Sequence, residues 1–342
     1  MKKKILVTGG CGYIGSHTVV KLIENNFEVT IIDDLSNSKE FILDNIEKIT
    51  GVKPNFLKCD LKDLSQVKNI LRNHNDFEAV IHFAAYKAVG ESVKEPLKYY
   101  QNNVGSLLNL LICSKKQGIH KVIFSSSATV YGNPEIVPIT EQQKTKRPFS
   151  AYGNTKKMAE EILEDIAKSS KDFSVISLRY FNPIGAHSSG LIGELPNGVP
   201  NNLMPYITQT ATGKREKLMM YGNDYPTKDG TPIRDYIHVV DLAQAHVQAL
   251  KRLLNNEQDV PFEVFNLGTG KGYSVLEVIE AFEKVTHQKL NYEIVERREG
   301  DVPVLYAATK LAEEKLNWQA KSELAEMISS SWVWEQNVSA KN

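Results

Sequence analysis

The sequence predicts an α/β fold: a doubly wound parallel sheet followed by a smaller mixed α/β region. Short apolar, β-branched runs alternate through the first half with segments whose apolar residues recur near 3.6. The first run leads into a glycine-rich turn, and after Asn182 the texture changes to Gly, Pro and Asn. Strands that are apolar throughout and separated by helices indicate a parallel sheet covered on both faces.

In chain order the expected strands are KILVT, EVTIID, NFLKCD, AVIHFAA, KVIFSSS and SVISLRYF, with helices such as YIGSHTVVKLIEN and VGSLLNLLICSKKQ between them. Residues 183–203 read as a loop or boundary. Beyond it, helices are expected near 203–213, 239–253, 274–287 and 322–336, and strands at KLMMYG, FEVFNLG and NYEIVE. The domain reading is 1–182 and 183–342, with some late segments candidates to return to the first domain. No internal repeat or low-complexity tract interrupts it.

The 342 residues carry 41 Lys plus Arg against 41 Asp plus Glu, so no overall charge gathers a polyanion and nucleic acid is not expected as a partner. Cys11, Cys59 and Cys113 have neither disulfide-framework nor zinc-ligand spacing; no metal is expected. Only Ile5, Leu6 and Val7 separate the first lysines from Thr8, too few for a secretory h-region. With no apolar window long enough for a membrane span, the expectation is a cytoplasmic protein without a membrane partner.

TGGCGYIGSH follows the first strand and opens the first helix, matching both Gly9-x-x-Gly12-x-x-Gly15 and Gly10-x-Gly12-x-x-Gly15. Such glycines let the backbone turn tightly and approach a pyrophosphate, while the helix N-terminus offers its N–H groups to the phosphates. The fold is therefore read as Rossmann-like. Asp33 and Asp34 end the second strand, eighteen and nineteen residues after Gly15. A carboxylate there accepts from a ribose diol and repels a 2′-phosphate, and the following LSNS has no arginine, so NAD is expected. Asp60, ending the third strand, suits either the adenine or a helix cap.

Tyr152 and Lys156 stand four apart, but so do Tyr306 and Lys310, and spacing alone does not distinguish the pairs. Context does. KVIFSSS delivers Ser125, Ser126 and Ser127 to the carboxyl edge of the sheet, and Tyr152 follows Ser127 by twenty-five residues at the start of a helix. Positions i and i+4 share a helix face. A tyrosine acting as base near neutral pH needs its pKa lowered by up to about three units, roughly 4 kcal/mol, and Lys156 with a positive nicotinamide is the expected source. Tyr306 follows REGDVPVL, without a serine-bearing strand end at comparable spacing, and serves as the control.

TGGCGYIGSH, SSSATVYG, YGNTK, RYFNPIGAH, NNLMPY, RDYIHVVDLA and RREGD together resemble the UDP-glucose 4-epimerase family of extended short-chain dehydrogenases, from residue 3 to about 320. The resemblance implies a tightly held NAD used and regenerated within one turnover, with Tyr152 as the base at the sugar 4-hydroxyl, Ser127 at O4 and Lys156 on the nicotinamide ribose. It implies a cofactor site of Gly9, Gly12, Tyr13, Ile14, Gly15, Asp33, Asp34, Asn37, Ser38, Asp60, Leu61, Phe83, Ala84, Ala85, Lys87, Asn102 and Phe181 beside the catalytic three. For the UDP-hexose it implies Arg234 and Arg298 on the diphosphate, Asp301 on the uridine ribose, Asn202, Leu203 and Tyr221 around the uracil, and Asn182 near the sugar phosphate. Lys87, Tyr236 and Leu305 complete that substrate set.

Related 4,6-dehydratases carry Asp-Glu after the serine or threonine, and related decarboxylases place Glu at the second of these positions; here they are Ala128 and Thr129. Many epimerases limited to unmodified hexoses have a tyrosine where this chain has Leu305, which implies room for a 2-acetamido group. UDP-N-acetylglucosamine epimerisation as the main activity, a redox sensor without turnover, and a net dehydrogenase are the alternatives. The family is commonly homodimeric through a segment like PLKYYQNNVGSLLNLLICSKK, whose apolar stripe could equally pack the sheet.

Overall fold

The computed structural model of the chain describes residues 2–74, 76–298 and 301–340. The first half supplies β1 (Lys4–Thr8), β2 (Glu28–Asp33), β3 (Asn55–Lys58), β4 (Ala79–His82), β5 (Lys121–Ser125) and β6 (Ser174–Tyr180). The second half adds β7 (Asn182–Ile184), β8 (Leu218–Tyr221), β9 (Ile233–His238), β10 (Phe262–Leu267), β11 (Gly272–Ser274), β12 (Tyr292–Val295) and β13 (Val304–Leu305). The main sheet runs β3-β2-β1-β4-β5-β6-β10, every neighbouring pair parallel. The chain winds outward from β1 to β3, then crosses to β4 on the other side, leaving a crevice above β1 and β4 where such sheets bind ligands.

Alternate residues of β1 serve opposite layers, which is why the strand is apolar without a break. Ile5 and Val7 belong with Val19, Leu22 and Leu250, from the helices Tyr13–Glu24 and Val239–Leu254. Leu6 belongs with Val67, Leu71 and Leu110, from the helices Leu64–Asn73 and Gly105–Lys116. Residues 239–267 thus supply both a covering helix and the seventh strand.

The smaller region is organised by β9, which pairs with β7 and β13 in parallel and β11 antiparallel, while β8 and β12 pair separately. Its core includes Met204, Ile207, Met220, Phe282 and Ile328. The helices there lie at Leu203–Ala211, Val275–Thr286 and Leu324–Ser339. The strands β7, β11 and β13 hold two or three residues each, too few to show a hydrophobic period. The helical run around residue 100 is also not continuous: Tyr100–Val104 is a π-helical turn, a feature frequent at functional sites.

Candidate active site

A cavity of about 840 Å³ opens at the carboxyl edge of the main sheet and extends over β7, β8 and β9. Every cofactor and substrate residue expected from the sequence lines it, Gly9 through Leu305. Tyr306 and Lys310 do not, among the described residues; Lys310 is instead an exposed helix residue pairing with Glu314 at 3.6 Å.

The glycine loop is a backbone cradle. Gly9 has φ +71°, and a Cβ on it would lie 2.7 Å from the Ala84 amide nitrogen. A Cβ on Gly15 would come within 2.2 Å of the Gly9 carbonyl oxygen, so any side chain here would drive the first helix off the turn. These contacts, with the N-terminus of helix Tyr13–Glu24 facing the cavity, fit a pyrophosphate.

Asp33 is buried, with one oxygen accepting from the Cys11 amide at 3.0 Å and the other from the Leu35 amide and Ser38 hydroxyl, each at 2.9 Å. Burial raises its pKa, and those donors oppose the rise. Asp34 accepts from the Ser36 amide at 2.9 Å and its hydroxyl at 2.7 Å. Asp60 is not a helix cap: it accepts from the Lys62 amide in a turn at 2.9 Å, and Asp63 caps the next helix through the Ser65 and Gln66 amides. Among the described residues Asp33, Asp34, Asn37, Asp60 and Leu61 meet at one end of the cavity, over the ends of β2 and β3.

Ser150 caps the helix Ala151–Ser169, its hydroxyl accepting from the Gly153 amide at 3.2 Å, and this sets Tyr152 in the first turn. Tyr152 and Lys156 are both buried. Lys156 Nζ donates to the Ser125 carbonyl at 2.6 Å and lies 4.9 Å from the centre of the Phe124 ring. Ser127 Oγ accepts from the Thr129 amide at 3.2 Å and so caps the short turn Ala128–Tyr131.

The expected acidic tyrosine is not a property of the chain alone. Burial pushes the Tyr152 phenol well above its ordinary value, the neighbouring Tyr180 adds to the rise, and the Ser127 hydroxyl works against it. Burial also draws the Lys156 ammonium down to about 8. Desolvation wins because it disfavours both charged forms at once.

In the substrate half, Asp301 accepts from Arg298 Nε at 3.2 Å and Nη2 at 2.9 Å, and Arg234 Nη2 stands 3.5 Å from the same carboxylate. The Arg298 guanidinium lies 5.9 Å from the Tyr221 ring. The three expected ligand residues are therefore together but paired with one another. The buried Tyr236 neighbours Arg234 on β9.

Three lining or supporting residues are not among those expected from the sequence. Glu194, in the Gly/Pro loop, accepts from Lys87 and Asn202, each at 2.7 Å, and its own carbonyl accepts from Trp334 at 2.9 Å. Together with Tyr13 donating to the Gly185 carbonyl at 2.6 Å and Asn45 to the Leu191 carbonyl at 2.7 Å, it straps that loop across the glycine turn. Tyr180 accepts from Ser125 Oγ at 3.1 Å beside Tyr152. Asn103, in the π turn, donates to Thr155 at 2.9 Å and accepts from the Tyr86 amide at 2.8 Å, tying the segment after β4 to the Tyr152 helix. A lone glutamate in a loop and an asparagine in a helical run carry no motif, and the RYFNPIGAH stretch that contains Tyr180 does not say that its ring stands beside Tyr152.

The family described as GDP-mannose 4,6 dehydratase matches residues 6–331. The UDP-glucose 4-epimerase of Bacillus subtilis (strain 168) is 52% identical over 336 residues, covering 97% of each chain. That of Pasteurella multocida (strain Pm70) is 51% identical over 332 residues, again 97% of each. The chain belongs to the UDP-glucose 4-epimerase family. Within it, the solved UDP-glucose-4-epimerase from Stenotrophomonas maltophila, with bound NAD and formylated UDP-arabinopyranose, superposes with a TM-score of 0.95 at 44% identity, covering 99% of this chain and 100% of that one. The UDP-glucose 4-epimerase from Bifidobacterium longum, in complex with NAD+ and UDP, gives 0.94 at 44% identity and 98% coverage of both chains. The broader dehydratase description and the epimerase relatives are reconciled by Ala128 and Thr129, which leave this UDP-glucose 4-epimerase family member without a carboxylate pair next to Ser127.

Proposed function

We propose that the chain interconverts UDP-glucose and UDP-galactose by inverting the sugar at C4, with NAD as its resident cofactor. The observation that carries this reading is the placement of Tyr152 and Lys156 on one helical face, in the same cavity as Ser127 and the glycine loop. Asp33 and Asp34 suit a ribose diol, and Leu35–Ser38 offers no guanidinium for a 2′-phosphate.

Tyr152 takes the proton from the sugar 4-hydroxyl and returns it, and Ser127 hydrogen-bonds O4 on that path. Lys156 holds the ribose hydroxyls of the cofactor and supplies positive charge beside the phenol. NAD, when bound, supplies the hydride acceptor and donor at C4. Arg234 and Arg298 exchange Asp301 for the diphosphate, a match of guanidinium forks to its oxygens. That exchange turns Asp301 toward the uridine ribose. Asn202, Leu203 and Tyr221 frame the uracil, and Asn182 meets the sugar phosphate. A substrate gripped by its nucleotide end leaves the hexose able to turn about its bond to the diphosphate and present either face to the same tyrosine.

Incubation with UDP-galactose is expected to give UDP-glucose by NMR of the product sugars, without a matching growth of NADH absorbance. One NADH per sugar consumed would instead identify a net dehydrogenase. A second reading rests on Leu305, which lines the substrate half with a side chain smaller than tyrosine. The same assay with UDP-N-acetylgalactosamine is expected to give product, and a rate below about one-thousandth of that with UDP-galactose would sink the wider-pocket reading.

The chain also assembles as a homodimer in this proposal. Val93, Leu97, Leu108 and Ile112 are 60%, 81%, 40% and 46% exposed on neighbouring helical segments, and apolar side chains gathered this way mark an interaction surface. Sedimentation is expected to show a dimer for the wild type and a monomer for Leu97→Lys/Ile112→Lys; a monomeric wild type would contradict the pairing. Three buried free cysteines accord with a reducing, cytoplasmic setting, and a dimer recovered from a secreted fraction would oppose it.

A further inference from the structure

Behind the Tyr152 helix lies an ion pair that lines no part of the cavity. Glu160 stands four residues beyond Lys156, so Tyr152, Lys156 and Glu160 follow one another along the same helix. Its Oε1 accepts from Ser126 Oγ at 2.7 Å, Ser177 Oγ at 2.8 Å and Arg179 Nε at 2.9 Å, and its Oε2 from Arg179 Nη2 at 2.6 Å. Arg179 also donates to the Tyr131 hydroxyl at 2.9 Å, which donates to Asn266 at 2.7 Å. Both charged residues are buried, at 5% and 6% exposure.

A buried ion pair is a poor way to stabilise a core, since its desolvation cancels most of its attraction and well-packed apolar residues do as well. This one touches the two structures the chemistry needs. Through Ser126 it grips the segment between Ser125, whose carbonyl receives Lys156, and Ser127. Through the helix it sits one turn from Lys156, which makes no ion pair among the described residues and points at a neutral carbonyl.

We propose, on the epimerase reading above, that Glu160 and Arg179 are positioning residues for Lys156: Glu160 fixes the Ser125–Ser127 strand end against the helix and sets a negative charge one turn from Lys156, while Arg179 holds that carboxylate and offsets its charge. Burial alone draws Lys156 down, and Glu160 is the charged group that opposes the fall. Arg179 also faces Tyr131, whose phenol is raised by burial, and Glu141, whose carboxyl is raised by burial while the Asn266 amide and Arg179 lower it; both are present in every variant below and leave the direction of each shift unchanged. His82 on β4 is lowered to about 3 by burial and by Lys156 itself. Tyr152 on the same helix, Tyr180 on β6 and Tyr99 beside Tyr152 are all raised by burial. The flanking β5 contributes Phe124 and Ser125, which do not titrate.

The test is the pH profile of UDP-galactose epimerisation by NAD-loaded protein, because charge substitutions of opposite sign must move its alkaline limb in opposite directions. Glu160→Gln leaves the Arg179 charge alone, so Lys156 loses its proton earlier and the limb moves to lower pH by about one unit. Arg179→Gln leaves the Glu160 charge alone, so the limb moves to higher pH by a similar amount. Glu160→Asp keeps the charge and should leave the limb in place while lowering kcat. The double variant, Glu160→Gln with Arg179→Gln, should return the limb close to the wild-type position. If Glu160→Gln does not fold, Arg179→Gln and the double variant decide. Limbs that stay put while kcat falls would show a mere brace, and single variants that shift the same way would also overturn the proposal. A wild type that folds, holds NAD and epimerises nothing defeats the reaction assignment instead, a distinct result.

Discussion

Tyr152→Phe is expected to lower kcat for UDP-galactose epimerisation by about 10²–10⁴-fold, the usual worth of a positioned acid–base group. The change removes one hydroxyl from a buried ring, and the aromatic body that packs beneath the cavity remains. NAD content and thermal stability should therefore stay near wild type, which separates loss of chemistry from loss of structure. The phenol is poised against deprotonation by its burial. Its use as a base thus depends on positive charge gathered in the same enclosure, from Lys156 and the oxidised nicotinamide. A Tyr152→Phe protein turning over at the wild-type rate would remove the proposed base and the mechanism with it.

Gly15→Ala is expected to have the largest structural effect of any single methyl added to the cofactor end of the cavity. The new carbon would lie 2.2 Å from the Gly9 carbonyl oxygen and 2.9 Å from the Gly10 Cα, and both neighbours are backbone. Relief requires the helix Tyr13–Glu24 to move away from the turn after β1, which opens the pyrophosphate cradle and disturbs the layer over β1. A loss of about 2–3 kcal/mol in stability is expected from overpacking of this kind, with NAD content falling at least about tenfold, since one decade of affinity is only about 1.4 kcal/mol. Gly105→Ala is the matched control: a Cβ there meets nothing within 4 Å, and the residue begins a helix, so no loss is expected. Denaturant unfolding and quantification of bound dinucleotide on both variants would check this. Equal behaviour of the two would mean that the close approach at Gly15 has no consequence.

Much of the site is legible in the sequence because its residues fall where local rules place them. The glycine pattern follows a strand and opens a helix, Asp33 ends the next strand, and Ser127 comes two residues after β5, whose unbroken apolar run is legible. Tyr152 and Lys156 are set by a cap, Ser150, and by helical spacing. Their control, Tyr306 and Lys310, shares the spacing but straddles a loop and a helix start, so the two side chains have no common face. What was not readable has no local period. Glu194 acts through partners 107 and 8 positions away, Asn103 reaches across 52, and Arg179 meets Glu160 across 19. The pull on the Tyr152 phenol has a related origin: the motif names the nearby lysine but not how completely both groups are withdrawn from water, so burial dominates what the chain alone contributes.

By itself the sequence determined the layered α/β architecture, the dinucleotide turn and the choice of Tyr152, Lys156 and Ser127 as residues of one cavity, because apolar period, glycine placement and helical spacing act over a few residues. Tertiary structure alone decided that β10 completes the sheet from residue 262 onward, that Asp301 stands between Arg234 and Arg298, and that a carboxylate and a guanidinium are sealed behind Lys156. These depend on which distant segments share a buried surface, and the free energy that selects them comes from desolvation and packing summed over the whole fold.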